Sequence, residues 1–147
     1  MKKFLYLVLL FSAIAAAQAR ADLSVLSMQP ETLRAMELEE LPPWPAEMVL
    51  EGGGAHWQKE LHRGEVTVAL YAAEPAVIDV NYPFPYDEFV LVLEGEVTLT
   101  PLDGPSRTYR VGDTFLVPQG WQGTWAMPVN YRELIVVETG AWIASGE

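Results

Sequence analysis

From Gly64 onwards the chain alternates short runs of β-favouring residues with turn residues. The run EVTVALYA (residues 65–72) places valine or leucine at every second position early in the run, which is the period of a strand with one buried face. Further runs follow at close spacing: AVIDVNY, EFVLVLE, EVTLTP, RTYRV, TFLVP, GTWAM and YRELIVVE. The breaks between most of them contain glycine or proline, which favour turns. This pattern predicts an all-β sandwich or barrel.

Residues 22–56, which precede these strands, have a different pattern. The segment QPETLRAMELEE (29–40) predicts a short helix, because Pro30 suits a first turn and the following leucines and methionine form a partial apolar stripe. The prolines of LPPWPAE then end it, and the glycines of EGGGAHW form a flexible joint. We expect an N-terminal arm with one helix that packs on, or precedes, the main domain.

Residues 1–21 predict a secretory signal peptide. A basic start, MKK, leads into the apolar run FLYLVLLFSAIAAA and then into the small residues of AQARA. Cleavage fits after Ala19 or after Ala21, and we expect the second, which leaves Asp22 first. The alternative is a retained membrane anchor, but the apolar run is shorter than the roughly 20 residues that a span needs. The prediction is a periplasmic or secreted protein without membrane association after cleavage.

Composition and charge limit the classes of partner that the protein can bind. The chain has a formal net charge of −11, and loss of Lys2, Lys3 and Arg20 with the signal would make it more negative. Such acidity argues against binding to nucleic acid or to an anionic membrane surface. The absence of cysteine excludes disulfides, thiol chemistry and a lipid anchor on an N-terminal cysteine. The length fits one domain with one sizeable core.

Two segments carry a resemblance to a known family. EFVLVLEGEVTLT (88–100) and VGDTFLVPQGWQGTW (111–125) resemble, in order and separation, the two signature blocks of the cupin superfamily, whose fold is a small β-barrel or jelly roll. More closely, YDEFVLVLEGEVTLT, GDTFLVPQGWQGTW and YRELIVV are similar to small single-domain cupins related to the C-terminal half of ureidoglycine aminohydrolase. The resemblance spans about Trp57 to Val137 and implies a cupin domain at 57–147, after the arm at 22–56.

The first block departs from the pattern of metal-binding cupins. In that pattern two histidines precede a glutamate, which Glu88 matches. A three-residue spacer places Tyr82 and Phe84 at the histidine positions, and a four-residue spacer places Asn81 and Pro83 there. Neither spacing supplies an imidazole.

The second block departs in the same way, because Gly123 stands where the pattern has its third histidine. One carboxylate among aromatic residues is not the converging cage of three or four ligands that a transition metal needs. His56 and His62 lie outside both blocks and are better explained as ordinary histidines than as replacement ligands. We therefore expect no metal and no other cofactor.

Strand alternation predicts which side chains enter the barrel. If Glu88 points inward, Tyr86 does so too, and Phe89, Leu91 and Leu93 point outward. A row of large apolar side chains on an outer face is usually covered. Either the arm or a second copy of the chain would cover it, so a homodimer is expected.

The alternation of side chains along the strands also predicts an aromatic pocket. Trp121, Gly123 and Trp125 share one face of a strand, and the missing imidazole at Gly123 predicts space beside Trp125. The expected ligand-binding residues are Tyr82, Phe84, Tyr86, Trp121, Trp125 and Arg132. The aromatic residues would otherwise simply fill a core, and Arg132 would otherwise form a surface ion pair.

Glu88 is the candidate for catalysis. A carboxyl in an apolar pocket can act as an acid or base, or can anchor an amine or hydroxyl of a ligand. Alternatively it is structural, bonded to Tyr86, Arg132 or a backbone amide.

Three functions remain open, and enzymatic activity is undecided. The favoured one is binding of a small molecule in the barrel without a metal. The second is a small-molecule enzyme of the ureidoglycine aminohydrolase-like group, with Glu88 as acid or base. The third is a structural dimerisation module.

Overall fold

The computed structural model describes residues 24–146, and these residues form a two-layered β-structure with two short helices. The predicted signal peptide and its cleavage site lie outside the described residues. Neither helix in the described part of the chain is long and apolar enough to cross a membrane. In chain order the elements are α1 (Pro30–Ala35), β1 (Glu39–Glu40), β2 (Val49–Gly52), β3 (His56–Arg63), β4 (Val66–Ala73), β5 (Ala76–Val80), β6 (Glu88–Glu94), β7 (Glu96–Pro101), β8 (Arg107–Arg110), β9 (Thr114–Val117), β10 (Gly123–Met127), β11 (Tyr131–Glu138) and α2 (Thr139–Ser145).

The strands form two antiparallel sheets. One has the order β1-β3-β4-β11-β6-β9 and the other β2-β5-β10-β7-β8. The inner side chains of β6 and β11 alternate with outer ones, so Val90 and Val92 meet Ile135 and Val137 in the core between the sheets. The prediction of an all-β jelly roll, preceded by an arm with one helix, is confirmed.

The arm contributes to both sheets. Strand β1 pairs with β3, and β2 pairs with β5. Helix α1 begins with Pro30, as predicted, and packs on the outer face of the larger sheet. The division of the chain into signal, arm and cupin domain stays a prediction.

The outer face is sealed by leucines. Leu33 of α1 is 1% exposed and packs with Leu70 and Leu93, while Leu91 and Leu134 lie at the edge of this cluster. The outward row expected on β6 is therefore covered by the arm at Leu93. At its other end Phe89 remains 41% exposed.

Two arginines fasten α1 to the sheet. Arg34 Nε donates to the Leu93 carbonyl at 2.7 Å, and Arg132 Nη1 donates to the carbonyls of Leu33 and Met36 at 3.0 and 2.9 Å. The Met36 carbonyl lies just beyond the last turn of α1, where a cation also opposes the partial negative charge of the helix end.

Helix α2 follows β11 directly. Glu138 caps it by accepting hydrogen bonds from the backbone N–H groups of Gly140 and Ala141, and Gly146 ends it with a left-handed backbone, φ 94°. Trp142 is the buried residue of this helix, at 1% exposure, and packs into the core between the sheets.

Candidate functional site

A cavity of about 240 Å³ lies inside the barrel, beside α2. Strands of both sheets, the arm and α2 supply its walls. Apolar and aromatic side chains form most of the lining: Leu41, Trp44, Tyr71, Ile78, Val80, Tyr82, Phe84, Pro85, Tyr86, Trp125, Met127, Ile135 and Trp142. The polar remainder comprises His56, Gln58, Glu88, Glu133 and Ser145. The cavity is thus a mostly apolar space with a few ionisable groups, which is the usual make-up of a ligand site.

Glu88 lies at the start of β6, on the face that points into the barrel. Its side chain is 5% exposed, and the next two inward residues, Val90 and Val92, are fully buried. Backbone pairing of Glu88 with Val117 of β9 holds this position. The carboxyl was expected at the edge of a pocket, and it does line the cavity.

Glu133 is a second buried carboxyl in the same cavity. It lies on β11 at 3% exposure, and the Tyr131 hydroxyl donates to its Oε2 at 2.5 Å. Burial raises the pKa of Glu133 to about 8, against the lowering effect of the hydrogen bond from Tyr131. Burial and the nearby carboxyls also raise the pKa of Tyr131, so its hydroxyl keeps its proton.

A β-bulge lies beside Glu133. Arg132 pairs with Glu94 of β6 whereas Glu133 pairs with Val92, so Leu93 has no partner on β11. An extra residue of this kind bends a strand and re-aims its side chains. Here Val92 belongs to the core between the sheets and Leu93 to the cluster under α1.

His56 is the third ionisable group of the cavity. It opens β3, is 6% exposed, and its ring stacks on Trp44 at 4.6 Å between ring centroids. Its Nε2 lies 2.6 Å from the carbonyl oxygen of Pro42. That oxygen can only accept, so Nε2 carries a proton. Its Nδ1 is buried and has no hydrogen-bond partner among residues 24–146, which is an uncommon and costly state for a polar atom.

Most of the predicted ligand-binding residues meet at this cavity. Tyr82, Phe84, Tyr86 and Trp125 line it with Glu88, which corresponds to the three-residue spacing of the first block. Phe84 packs edge-on against Tyr86, with ring centroids 5.4 Å apart, and stacks near Trp125 at 6.5 Å.

Two predicted residues do not line the cavity. Trp121 packs behind Trp125, edge to face, with ring centroids 6.3 Å apart. Arg132 is on the opposite face of β11, where it holds the carbonyls of the arm. The side-chain alternation of β11 separates Arg132 from the neighbouring Glu133.

The position of Gly123 is closed. Trp125 does line the cavity, but, contrary to the expectation, the space beside it does not open at the position of the missing imidazole. A Cβ atom there would stand 2.1 Å from the Thr100 carbonyl oxygen and 2.9 Å from Cζ2 of Trp121. Any side chain at this position would collide with the backbone of β7, so a histidine cannot be accommodated without moving the strand.

The residues present do not fit the metal centre of metal-binding cupins. Tyr82, Phe84 and Gly123 occupy the three histidine positions, and the backbone around Gly123 excludes a larger residue. In the described part of the chain no group of three or more His, Cys, Asp or Glu side chains is arranged to hold a metal ion. His62, the other histidine, is exposed on β3.

Sequence reasoning missed Glu133 and gave His56 no role in the pocket. A signal for Glu133 was present, because YRELIVVE places Tyr131, Glu133, Ile135 and Val137 on one face, and the last two are typical core residues. No comparable signal exists for His56. Its place depends on the Pro42 carbonyl and the Trp44 ring, which pack against it from an earlier part of the arm.

Comparison with known proteins agrees with this architecture. Residues 61–132 match the family model of the EutQ-like cupin domain. No protein of curated function matches the chain. Among solved structures, the EutQ protein of Clostridium difficile is similar at 17% identity and a TM-score of 0.56, over 72% of this chain and 82% of that one.

Two further solved structures share the fold. A putative ethanolamine utilization protein Q from Salmonella typhimurium LT2 is 21% identical, with a TM-score of 0.51 over 58% of this chain and 70% of that one. A cupin-like protein from Thermotoga maritima MSB8 is 17% identical, with a TM-score of 0.55 over 71% and 80% of the two chains. The family match therefore applies to residues 61–132, which resemble a EutQ-like cupin domain, and the solved structures share the fold of the barrel.

Proposed function

We propose that this protein binds a small organic molecule in the barrel cavity without the help of a metal. The observation that carries the proposal is the cavity itself, in which two buried carboxyls and a histidine nitrogen without a partner lie among aromatic walls. The interior of a small barrel is commonly filled by its own side chains. An unfilled and partly polar interior is better explained by a ligand.

The energetic argument points the same way. A buried carboxyl destabilises a fold unless it is fully paired, and apolar residues of similar volume are often at least as stable in its place. Glu88 and Glu133 are both exposed by 5% or less and line the cavity together with apolar residues such as Ile78 and Met127. Their presence supports a role that packing alone does not require.

The cavity volume sets the size of the ligand. At about 30 Å³ per water molecule, its 240 Å³ corresponds to about eight waters. This is below the 300–1,000 Å³ that is typical of drug-sized ligands. A metabolite of about ten non-hydrogen atoms or fewer fits this space.

A screen of small metabolites tests the proposal, with the fluorescence of the cavity tryptophans and the melting temperature as readouts. Trp44, Trp125 and Trp142 all line the cavity, so an occupant should change their emission. We expect at least one class of compound to do so and to raise the melting temperature by mass action.

Matched variants make this test specific. Ile78→Phe and Ile135→Phe add volume to the cavity lining, and each should abolish the response in protein that remains folded. Ile143→Phe makes the same change at a position that is 55% exposed on α2, and it should leave the response intact. A response that survives both filling variants would place the ligand elsewhere and contradict the proposal.

A small-molecule enzyme is the second candidate, and Glu133 favours it. A carboxyl with a pKa of about 8 can hold or release a proton near neutral pH, which suits an acid or base in catalysis. In that case Glu88 or Glu133 would transfer the proton. The matches described above are to EutQ-like and other cupins, so the closer resemblance to ureidoglycine aminohydrolase rests on the quoted sequence segments alone. Turnover of a compound found in the screen, lost in Glu88→Gln or Glu133→Gln, would establish this candidate.

Export and pairing of two copies complete the proposal. The sequence of residues 1–21 supports export, and a mature protein beginning at Asp22 in a periplasmic or culture fraction would be expected. The part of the outer face that α1 leaves open supports pairing, because the cross-strand neighbours Phe89 and Leu116 are 41% and 56% exposed. Dimerisation through this face is also what the third hypothesis, a structural module, would require.

A further inference from the structure

We infer that the cavity selects a small organic cation, a protonated amine on an apolar group, held between Glu88, Glu133 and the free nitrogen of His56. This inference rests on the proposed function and names the ligand class. It follows from the charges of the lining, the hydrogen-bonding state of its polar atoms and the aromatic character of its walls.

The cavity lining has more acidic than basic side chains. Its side chains include two glutamates, and none of the described residues that line it is a lysine or an arginine. An anionic ligand would bring its charge to a buried site without a partner, which is strongly unfavourable. A purely apolar ligand would bury both carboxyls further. A cation is the ligand whose charge is opposite to that of an ionised carboxyl.

Both carboxyls face the cavity, from different positions along β6 and β11. The Tyr131 hydroxyl donates to Glu133, and both Glu133 and Glu88 are near enough to raise the pKa of this tyrosine. An ammonium group has three donors and no acceptor. Placed in the cavity, it finds acceptors on the carboxyls that line the walls.

His56 supplies a third acceptor. Because Nε2 holds its proton toward the Pro42 carbonyl at 2.6 Å, a neutral His56 presents a lone pair at Nδ1. That atom is buried and has no partner in residues 24–146, while its ring belongs to the cavity lining. A donor on the ligand would satisfy the atom that the fold leaves without one.

The aromatic walls of the cavity favour the apolar part of a protonated amine. Trp44 stacks on His56 near the edge of Tyr71, and Phe84, Tyr86 and Trp125 form the other aromatic wall. Aromatic faces attract cations and also bury the apolar part of an arylalkylamine.

Proton release should accompany binding. The raised pKa of Glu133, about 8, means that this carboxyl is mostly protonated at neutral pH in the free protein. A bound ammonium stabilises its ionised form, so binding releases a proton and tightens as the pH rises from about 6.5 to 8.5. The other titratable side chains of the cavity lining are Glu88, His56, Tyr71, Tyr82 and Tyr86, and the Tyr131 hydroxyl donates to Glu133.

Calorimetric titration of the mature protein with three probes of similar size tests the inference: benzylamine, benzyl alcohol and benzoate. We expect benzylamine to bind about ten- to a hundredfold more tightly than benzyl alcohol, the usual gain from hydrogen bonds to charged groups. Benzoate should not bind. The proton count, from titrations in buffers of different ionisation enthalpy, should show release at pH 7.

Substitutions of the two glutamates test whether these carboxyls cause the preference for benzylamine. Glu88→Gln and Glu133→Gln should each weaken benzylamine about tenfold or more and leave benzyl alcohol unchanged, and Glu133→Gln should also abolish the proton release. Glu94→Gln, at the exposed end of β6, is the matched control and should change neither.

The outcomes separate the inference from the proposed function. Binding of benzyl alcohol or benzoate as tightly as benzylamine would overturn the cation assignment and leave the cavity as a binding site. Benzylamine binding that is unaffected by both glutamine variants would overturn the assignment too. Failure of all three probes would also overturn it, while the proposed function would be decided separately by the cavity-filling isoleucine variants in the metabolite screen.

Discussion

The two faces of the larger sheet are built from the same strands, yet they are occupied in opposite ways. The outer face meets α1 through Leu33, Leu70 and Leu93, and its fastening hydrogen bonds run from arginines to backbone carbonyls. The inner face buries Glu88 and Glu133 beside an empty space.

This contrast separates stability from function. The outer cluster gains free energy of unfolding from apolar burial at about 25 cal/mol per Å² and leaves no polar group in its centre. The inner face loses free energy by burying two carboxyls and by leaving Nδ1 of His56 without a hydrogen-bond partner among residues 24–146. If stability were the only requirement, we would expect apolar side chains to fill both faces of the sheet. The predictions below test whether the two faces can be disturbed independently.

Truncating the outer cluster should have the largest effect on stability. Leu33→Ala removes a side chain that is 1% exposed, and we expect the free energy of unfolding to fall by about 2–5 kcal/mol in urea titrations. Benzylamine affinity of the folded fraction should not change. Leu26→Ala, at a leucine of the arm that is 56% exposed, is the control and should be nearly silent. A loss below about 0.5 kcal/mol for Leu33→Ala would show that α1 does not seal the sheet.

Replacing Glu133 on the inner face should raise the free energy of unfolding, and the gain should depend on pH. The pKa of Glu133 is about 8 in the folded protein and about 4.3 in the unfolded chain. Between these values the folded state holds a proton that the unfolded state has released. The stability that this carboxyl contributes is thus full below pH about 4.3 and is lost as the pH rises towards 8.

Glu133→Gln removes this titration and keeps an oxygen that accepts from Tyr131. We expect the variant to lose the fall in stability between pH 5 and 8, a difference on the order of a few kcal/mol, in urea titrations at several pH values. Glu138→Gln is the control: backbone N–H groups lower the pKa of this exposed carboxyl, so its titration lies below that window. Parallel pH profiles for the wild type and Glu133→Gln would contradict the assignment.

Replacing Arg132 tests whether this residue holds the arm on the outer face or binds a ligand on the inner face. Arg132→Met removes two hydrogen bonds to carbonyls of the arm and keeps much of the apolar stem. We expect a loss of about 1–2 kcal/mol by urea unfolding, because the guanidinium is partly exposed. Ligand affinity should stay within a factor of two or so of the wild type. A loss of affinity without a loss of stability would restore Arg132 as the ligand-binding residue that the sequence predicted.

The smallest effect on stability is expected where the outer face is open. Phe89→Ser and Leu116→Ser replace exposed cross-strand neighbours, and each should change the free energy of unfolding by less than about 0.5 kcal/mol. Sizing chromatography at several concentrations is the informative measurement. If two copies pair here, the variants elute as monomers where the wild type elutes as a dimer. A wild type that is monomeric at every concentration would remove this face as an interface.

Local pattern was enough for much of the fold. The pattern of short β-favouring runs identified the strands from β4 onwards but not β1, β2 or β3, which precede Gly64. Pro30 located the start of α1, and the inward side of EFVLVLE followed from one face of a strand. Each of these rests on residues that are close together in the chain. Helix α2 was not predicted, because its few residues show little apolar periodicity and Trp142 is held by contacts with distant strands.

The site depended on contacts between distant segments. Alternation in YRELIVVE indicates that Glu133 points inward. That Glu133 and Glu88 line the same cavity follows from the pairing of β11 with β6, which brings two distant segments into one sheet. The partner of His56 Nε2 is a carbonyl of the arm, and the obstacle at Gly123 is the backbone of β7. The period of a strand is a local property of the backbone and can be read from the residues in order. The space left between the sheets, and the polar atoms that face it, result from how strands far apart in the chain pack together, and no local pattern encodes that packing.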